Sequence, residues 1–268
     1  MNITIKNDFA TVICQILGAE LLSYKDSNGK EYMWQKDPAY WAKTSPVLFP
    51  WIGATNEAVL INGTPYALPR HGFVKDADFE VAKQGEDYVI LATRTNEFTR
   101  SVYPFEFVFT VTFRLNGSAL EITYGVENEG TENMPFLIGG HPAFFCPMED
   151  GAEFTDYILH FEDADKEDLP LQYHLFDNDA ILYEHFTTRS VKLLHKTSGK
   201  GLQFDFPGYD TVAFWTPINK NAPFLCLEPW CNGAPEQTNV CMNLSEKTYV
   251  QTLAAGTKRD YPFSFRPC

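Results

Sequence analysis

Helical periodicity is almost missing from this chain. Over 268 residues there is hardly a stretch in which apolar residues recur every three to four positions for ten residues or more, the pattern a helix needs to pack on a core. No apolar run approaches the roughly 18 residues of a membrane-crossing helix, so residence in a membrane is not expected. The opening MNITIKNDFATVICQILG lacks the basic start, apolar stretch and small-residue cleavage site of a secretory leader. It reads as a strand that begins almost at once, and a cytoplasmic location is the expectation. Basic residues are also few: 21 Lys and Arg against 35 Asp and Glu, a net charge of −14. Without a basic cluster, nucleic acid is excluded as a partner, because binding to phosphates rests on Lys and Arg.

Most chemical signatures are absent too. The six cysteines, Cys14, Cys146, Cys226, Cys231, Cys241 and Cys268, form no C-x-x-C pair. Several lie in apolar runs and are expected to be reduced, small core residues. There is no His-Glu-x-x-His on a helix, no G-x-S-x-G elbow, no phosphate loop and no dinucleotide fingerprint. Neither a metal nor a cofactor is expected. With no Gly/Ser linker, no compositional shift and no blade-length repeat, a single domain over residues 1–268 is expected.

What the chain has in quantity is aromatic residues, 15% of the total, and short period-two runs ended by turn residues. ELLSYKDSNGKEYMW, DFEVAKQGEDYVILATRTN and FEFVFTVTFRLNGSALEITYGVEN each read as strand, turn, strand, with Asn28-Gly29, Gly85 and Asn116-Gly117 at the turns. TDYILHF, RSVKLLHKTSGKGLQFDF, TVAFWTP, PFLCLEP and YPFSFRP continue the plan. This predicts an all-β chain of roughly twenty strands, a sandwich or barrel. Helix should stay below about a tenth, a turn or two at PAYWAKTS or near Ser245 to Tyr249.

The candidate chemistry lies in residues that break these patterns. His160, His174, His185 and His195 stand in polar segments and read as surface histidines. His141, in GGHPAF, and His71, in LPRHGF, stand in glycine-marked contexts beside aromatics. Glycines let a backbone approach something closely, so each histidine is either a satisfied structural residue or part of a site. Glu228, in PFLCLEPWCNG, follows a mostly apolar run. It is either one half of a buried ion pair or a carboxyl whose pKa is raised by desolvation, as a general base near neutrality requires. Asp179 opens an apolar strand and could instead cap its own turn. Among five tryptophans, Trp230, beside Glu228, is the best candidate for the wall of a site, since indole rings stack on the C–H faces of sugars.

SPVLFPWIG, LPRHGFVKDADFEV, NEFTRSVYPFEF, GGHPAFFCP, FDNDAILY and LCLEPWCNG occur in the order seen in aldose 1-epimerases (galactose mutarotase-like proteins), and the chain most resembles the LacX-like branch. The resemblance spans essentially the whole sequence. It implies a large antiparallel β-supersandwich with the site on its concave face. It also implies interconversion of the α and β anomers of an aldose without metal or cofactor, in a monomer or homodimer. By resemblance, Glu228 is the base at the C1 hydroxyl, His141 the acid at the ring oxygen, His71 a second histidine holding the sugar, and Asp179 a ligand of sugar hydroxyls. Such a pair should share one pocket reachable from solvent, with space for a pyranose between the two groups. Gly139-Gly140 would let the sugar lie close to the backbone.

Two departures from the family pattern concern the sugar. No arginine follows Gly53, and Arg70 is the nearest replacement. CNGAPEQTN stands where CGxxD-like sequence is common. Two other readings remain open: a non-catalytic sugar-binding or regulatory protein on the same scaffold, and a lyase or glycoside hydrolase, which would need its own carboxylate pair or Tyr/Arg set.

Overall fold

The computed structural model describes residues 1–54, 58–233 and 243–268. Strands make up 47% of the described residues and helix 7%, as the alternation and the scarcity of helical periodicity require. Two ten-residue strands, Phe107–Asn116 and Ala119–Asn128, form the centre. Phe107, Phe109, Val111, Phe113 and Leu115 are buried on one, and Leu120, Ile122, Tyr124 and Val126 on the other. Period-two burial of this kind leaves one face of the sheet for a core and one for solvent. Asn116 pairs with Ala119, so the turn itself is Gly117-Ser118, with Gly117 at φ +57°, one residue later than expected.

These strands belong to a nine-stranded sheet ordered 169–170, 157–161, 190–195, 201–205, 258–267, 119–128, 107–116, 88–94 and 80–84. Its buried face packs on a second sheet, ordered 181–183, 211–215, 224–231, 138–140 and 47–48, with 143–145 also paired to 224–231. Every strand pair in both sheets is antiparallel. The sheets meet through aromatic rings, such as Phe144 edge-on to Phe265 at 4.8 Å between centroids. A three-stranded meander, 2–6, 10–15 and 21–26, joins the same core, with Tyr24 against Phe265.

Three local expectations change. Residues 27–35 give isolated bridges rather than a second hairpin strand. The Glu31 carboxylate accepts the backbone N–H groups of Tyr24, Tyr32 and Met33 and the Ser23 hydroxyl, taking up donors that a ladder would use. The one α-helix among the described residues is Glu97–Val102, closed by a reciprocal cap between Asn96 and Thr99. PAYWAKTS contains only a turn, and a short 3₁₀ turn at Leu244–Glu246 lies near the other expected site.

Candidate active site

The strand Phe224–Cys231 is buried on both faces. Leu225 and Leu227 point into the main core, while Phe224 and Cys226 join a smaller aromatic cluster on the outer face with Trp34, Trp41 and Trp215. Alternation therefore places Glu228 on the outer face with Cys226. Along the neighbouring edge, Gly139 pairs with Trp230 and Ala143 with Cys226. The same register, carried through the bend at Pro142, sets His141 opposite Glu228. Leu227 N–H donates to Pro142 O across the bend at 3.1 Å.

That cross-strand position brings the two side chains into contact, with His141 Nε2 3.2 Å from Glu228 Oε2. Both are buried, His141 at 7% and Glu228 at 1% exposure. The contact lacks hydrogen-bond angles. Glu228 Oε1, Glu228 Oε2, His141 Nδ1 and the Trp230 indole nitrogen have no hydrogen-bond partner among the protein's own groups. Unpaired polar atoms in such a place are costly, and they mark a site shaped for something other than packing. The expected space for a pyranose between the two groups does not exist; a ligand has to meet both from one side. Nor is Glu228 open, since both of its oxygens are shut off from solvent.

The cover is aromatic. Trp41 lies stacked on His141, 4.8 Å between centroids and 28° between planes, and Trp215 meets the imidazole edge-on at 5.5 Å. Trp41 is held from several sides. Its carbonyl accepts the Trp34 indole N–H at 2.8 Å. Lys220 Nζ donates to the carbonyls of Ala39 and Tyr40. The buried Glu20 carboxylate accepts Lys36 Nζ and the backbone N–H groups of Thr44 and Ser45, pinning both ends of the segment. Sequence reasoning passed over Trp41 and Trp215 in favour of Trp230, because nothing local ties residue 41 to residue 141.

Trp230, two residues on from Glu228, shares its face of the strand, and its indole N–H is among the groups that act on the carboxyl. A Cβ on Gly139 would come within 2.6 Å of Trp230 Cδ1 and 2.8 Å of Pro229 O, so Gly139 makes room for the indole. A Cβ on Gly140 would lie 3.2 Å from the Tyr124 hydroxyl and 3.3 Å from Phe263, facing the other sheet. The two glycines make room for neighbours on opposite faces of the strand.

His71 completes the cluster, its ring edge-on to His141 with centroids 5.7 Å apart. It sits at φ +61°, uncommon for a residue with a side chain. Gly53 holds it there twice: His71 N–H donates to Gly53 O at 3.0 Å, and Gly53 N–H donates to His71 Nδ1 at 3.1 Å. Arg70 Nε–H points at the other ring nitrogen, Nε2, at 3.2 Å, so both ring nitrogens face an N–H donor and a neutral imidazole accepts from only one of them.

Burial pushes His71 down to about 4, with help from Arg70 and Lys75. His141 is pushed well below its ordinary value by burial first, then by His71 and Arg70. Glu228 is pushed well above the carboxylate range by burial first and then by Asp179, against the opposing pull of Arg70 and the Trp230 N–H. Asp179 is exposed and sits at φ +87° in the turn before strand 181–183. Its carboxylate caps nothing in that turn, and its link to the site is this charge on Glu228.

The remaining histidines lie elsewhere: His160 pairs with Asp168, His195 with Glu149, and His174 and His185 are exposed. Cys14, Cys146, Cys226 and Cys231 are free and buried, and Cys268 is free and exposed. Cys241 and most of CNGAPEQTN lie outside the described residues. Although no compact ligand spacing exists in the sequence, the fold gathers ligand atoms of His141, Cys226 and Glu228 within 4.8 Å of one another. No helix among the described residues is long and apolar enough to cross a membrane.

Comparison with known proteins finds relatives over the whole chain. The chain is 33% identical over 292 aligned residues to the LacX proteins, plasmid and chromosomal, of Lactococcus lactis subsp. lactis, covering 96% of this chain and 97% of each of those. A galactose mutarotase-like protein from Lactobacillus casei ATCC 334 superposes with a TM-score of 0.93 at 27% identity, over the full length of both chains. A galactose mutarotase related enzyme from Lactobacillus acidophilus superposes at 0.89 with 30% identity, covering 100% of this chain and 97% of that one. A sequence model of the aldose 1-epimerase family matches residues 1–245, and the chain belongs to that family.

Proposed function

We propose that the protein interconverts the α and β anomers of an aldose by acid–base catalysis at His141 and Glu228, without a metal or cofactor. The observation that carries this reading is the contact between an imidazole and a carboxyl at 3.2 Å in a buried site. In a pyranose, the C1 hydroxyl oxygen and the ring oxygen are bonded to the same carbon. Two groups in contact with each other can therefore serve both oxygens from one side, and no gap between them is needed.

In ring opening, Glu228 removes the proton from the C1 hydroxyl while His141 delivers one to the ring oxygen. The C1–O5 bond breaks and C1 becomes an aldehyde carbon. After rotation about C1–C2 the chain closes on the other face, and the two protons return. The pair holds one proton at the start and one at the end. Burial drives both groups towards their neutral forms, which puts the resting proton on Glu228. It crosses to His141, 3.2 Å away, when the two groups turn into line, before Glu228 acts as base. His71 and the guanidinium of Arg70 that it contacts are assigned to sugar oxygens. Arg70 takes the place of the arginine that does not follow Gly53, and Asp179 accepts from a hydroxyl.

A second reading, a sugar-binding or regulatory protein, draws on the closure of Glu228 under its aromatic cover. Both readings are tested by following anomer exchange by polarimetry or NMR across a panel of free and phosphorylated aldoses. Exchange above the spontaneous rate supports catalysis. A sugar that binds without exchange supports the second reading.

A further inference from the structure

We propose that His141, Cys226 and Glu228 also form a binding site for a soft divalent cation of the zinc class, which shuts the acid–base pair when bound. The inference starts from Cys226, a thiol the proposed reaction does not use. It lies two residues before Glu228 on the same face of one strand and opposite Ala143. Its ligand atom, with those of His141 and Glu228, lies in a set spanning no more than 4.8 Å, and all three residues are buried. Tetrahedral zinc, with bonds of about 2.3 Å to sulfur and about 2.0–2.1 Å to nitrogen and oxygen, holds its ligand atoms about 3.3–3.6 Å apart. The His141–Glu228 separation of 3.2 Å is close to this, and the thiol has to close by about 1.2 Å at most.

The donor chemistry points the same way. One sulfur, one imidazole nitrogen and one carboxylate oxygen make a mixed set suited to zinc and unsuited to magnesium or calcium. A thiolate and a carboxylate neutralise the dication, so the buried complex carries no net charge; the thiol proton and the proton resting on Glu228 both leave to solvent. Both Glu228 oxygens are without hydrogen-bond partners, so coordination displaces no bond the fold depends on. Three protein ligands leave a fourth position for water or a sugar oxygen. The site stands on these three side chains alone. Only its inhibitory consequence rests on the proposed catalysis.

The probe is Co²⁺, added to chelator-treated full-length protein and followed by absorption. One equivalent should produce a thiolate-to-cobalt charge-transfer band with the intense visible bands of a tetrahedral ion, and Zn²⁺ should displace it. Cys226→Ser should abolish the charge-transfer band. For wild-type protein loaded with Zn²⁺, X-ray absorption should show one sulfur at about 2.3 Å among lighter ligands, a readout that does not depend on any variant folding. Zn²⁺ should halt anomer exchange, chelation should restore it, and Cys226→Ser should need about tenfold more Zn²⁺ or beyond for half-inhibition. A zinc shell without sulfur, or a band that survives in Cys226→Ser, overturns the proposal. Cobalt and X-ray signatures without any anomer exchange uphold the metal site and overturn the catalytic reading instead.

Discussion

The indole of Trp41 lies flat against the imidazole of His141, 4.8 Å between centroids and 28° from parallel, on the side chain that contacts Glu228. A pyranose that reaches the acid–base pair has to displace this ring or slide along it. Saturating sugar should therefore change the tryptophan fluorescence of the wild-type protein. In Trp41→Phe, with the other four tryptophans intact, most of that change should be lost. An unchanged amplitude in the variant would mean that the ligand enters by another route.

The pair itself is tested by removing one member at a time. Glu228→Gln and His141→Asn should each slow anomer exchange by about 10²-fold or more while sugar binding survives. The double variant should be little worse than either single one, because base and acid act as a unit. Additive losses would show that the two side chains work separately.

Anomer exchange should follow a bell-shaped profile of kcat/KM against pH. The active form of the pair holds one proton, so activity falls when a second proton binds and when the last one leaves. The two apparent pKa values belong to the pair and not to either residue. A rate that rises monotonically across the range, with no acidic or basic limb, would rule out the single-proton mechanism.

His71 titrates at about 4 in the folded protein, against an ordinary 6.5. Between those values the unfolded chain binds more protons at this position than the folded one. The contribution of His71 to stability is thus full above pH 6.5 and is lost as pH falls towards about 4. Thermal melts of wild type against His71→Asn, whose side chain tolerates the same positive φ, should diverge in slope over that window. Parallel curves would show that His71 is not held neutral by burial.

Gly139→Ala would place a methyl group 2.6 Å from Trp230 Cδ1 and 2.8 Å from a backbone oxygen. Overpacking of this kind should cost about 1–3 kcal/mol in denaturant unfolding. A loss of sugar binding without a loss of stability would return Gly139 to the role of giving a ligand access to the backbone.

The alternation of residues, a local property, was enough to determine the all-β class, most of the hairpins and the near absence of helix. It marked Glu228 as a carboxyl in apolar surroundings and His71 and His141 as residues in rigid contexts, and the ordered motifs pointed to the family. It missed the helix Glu97–Val102, whose cap depends on two short polar side chains, and the loss of the strand after Asn28-Gly29, where Glu31 takes the backbone donors.

Only the tertiary structure decided what those residues meet. His141 faces Glu228 because two strands 87 positions apart in the chain share one register, and no local pattern encodes that pairing. The same register sets Cys226 beside them. The anchored segment from Lys36 to Ser45 lays Trp41 over His141, and the pairing of Gly139 with Trp230 sets the indole against a residue with no side chain. Side-chain alternation follows from the backbone of each strand by itself. Contact between strands follows from the long-range packing of apolar faces, which the chain settles only by folding as a whole.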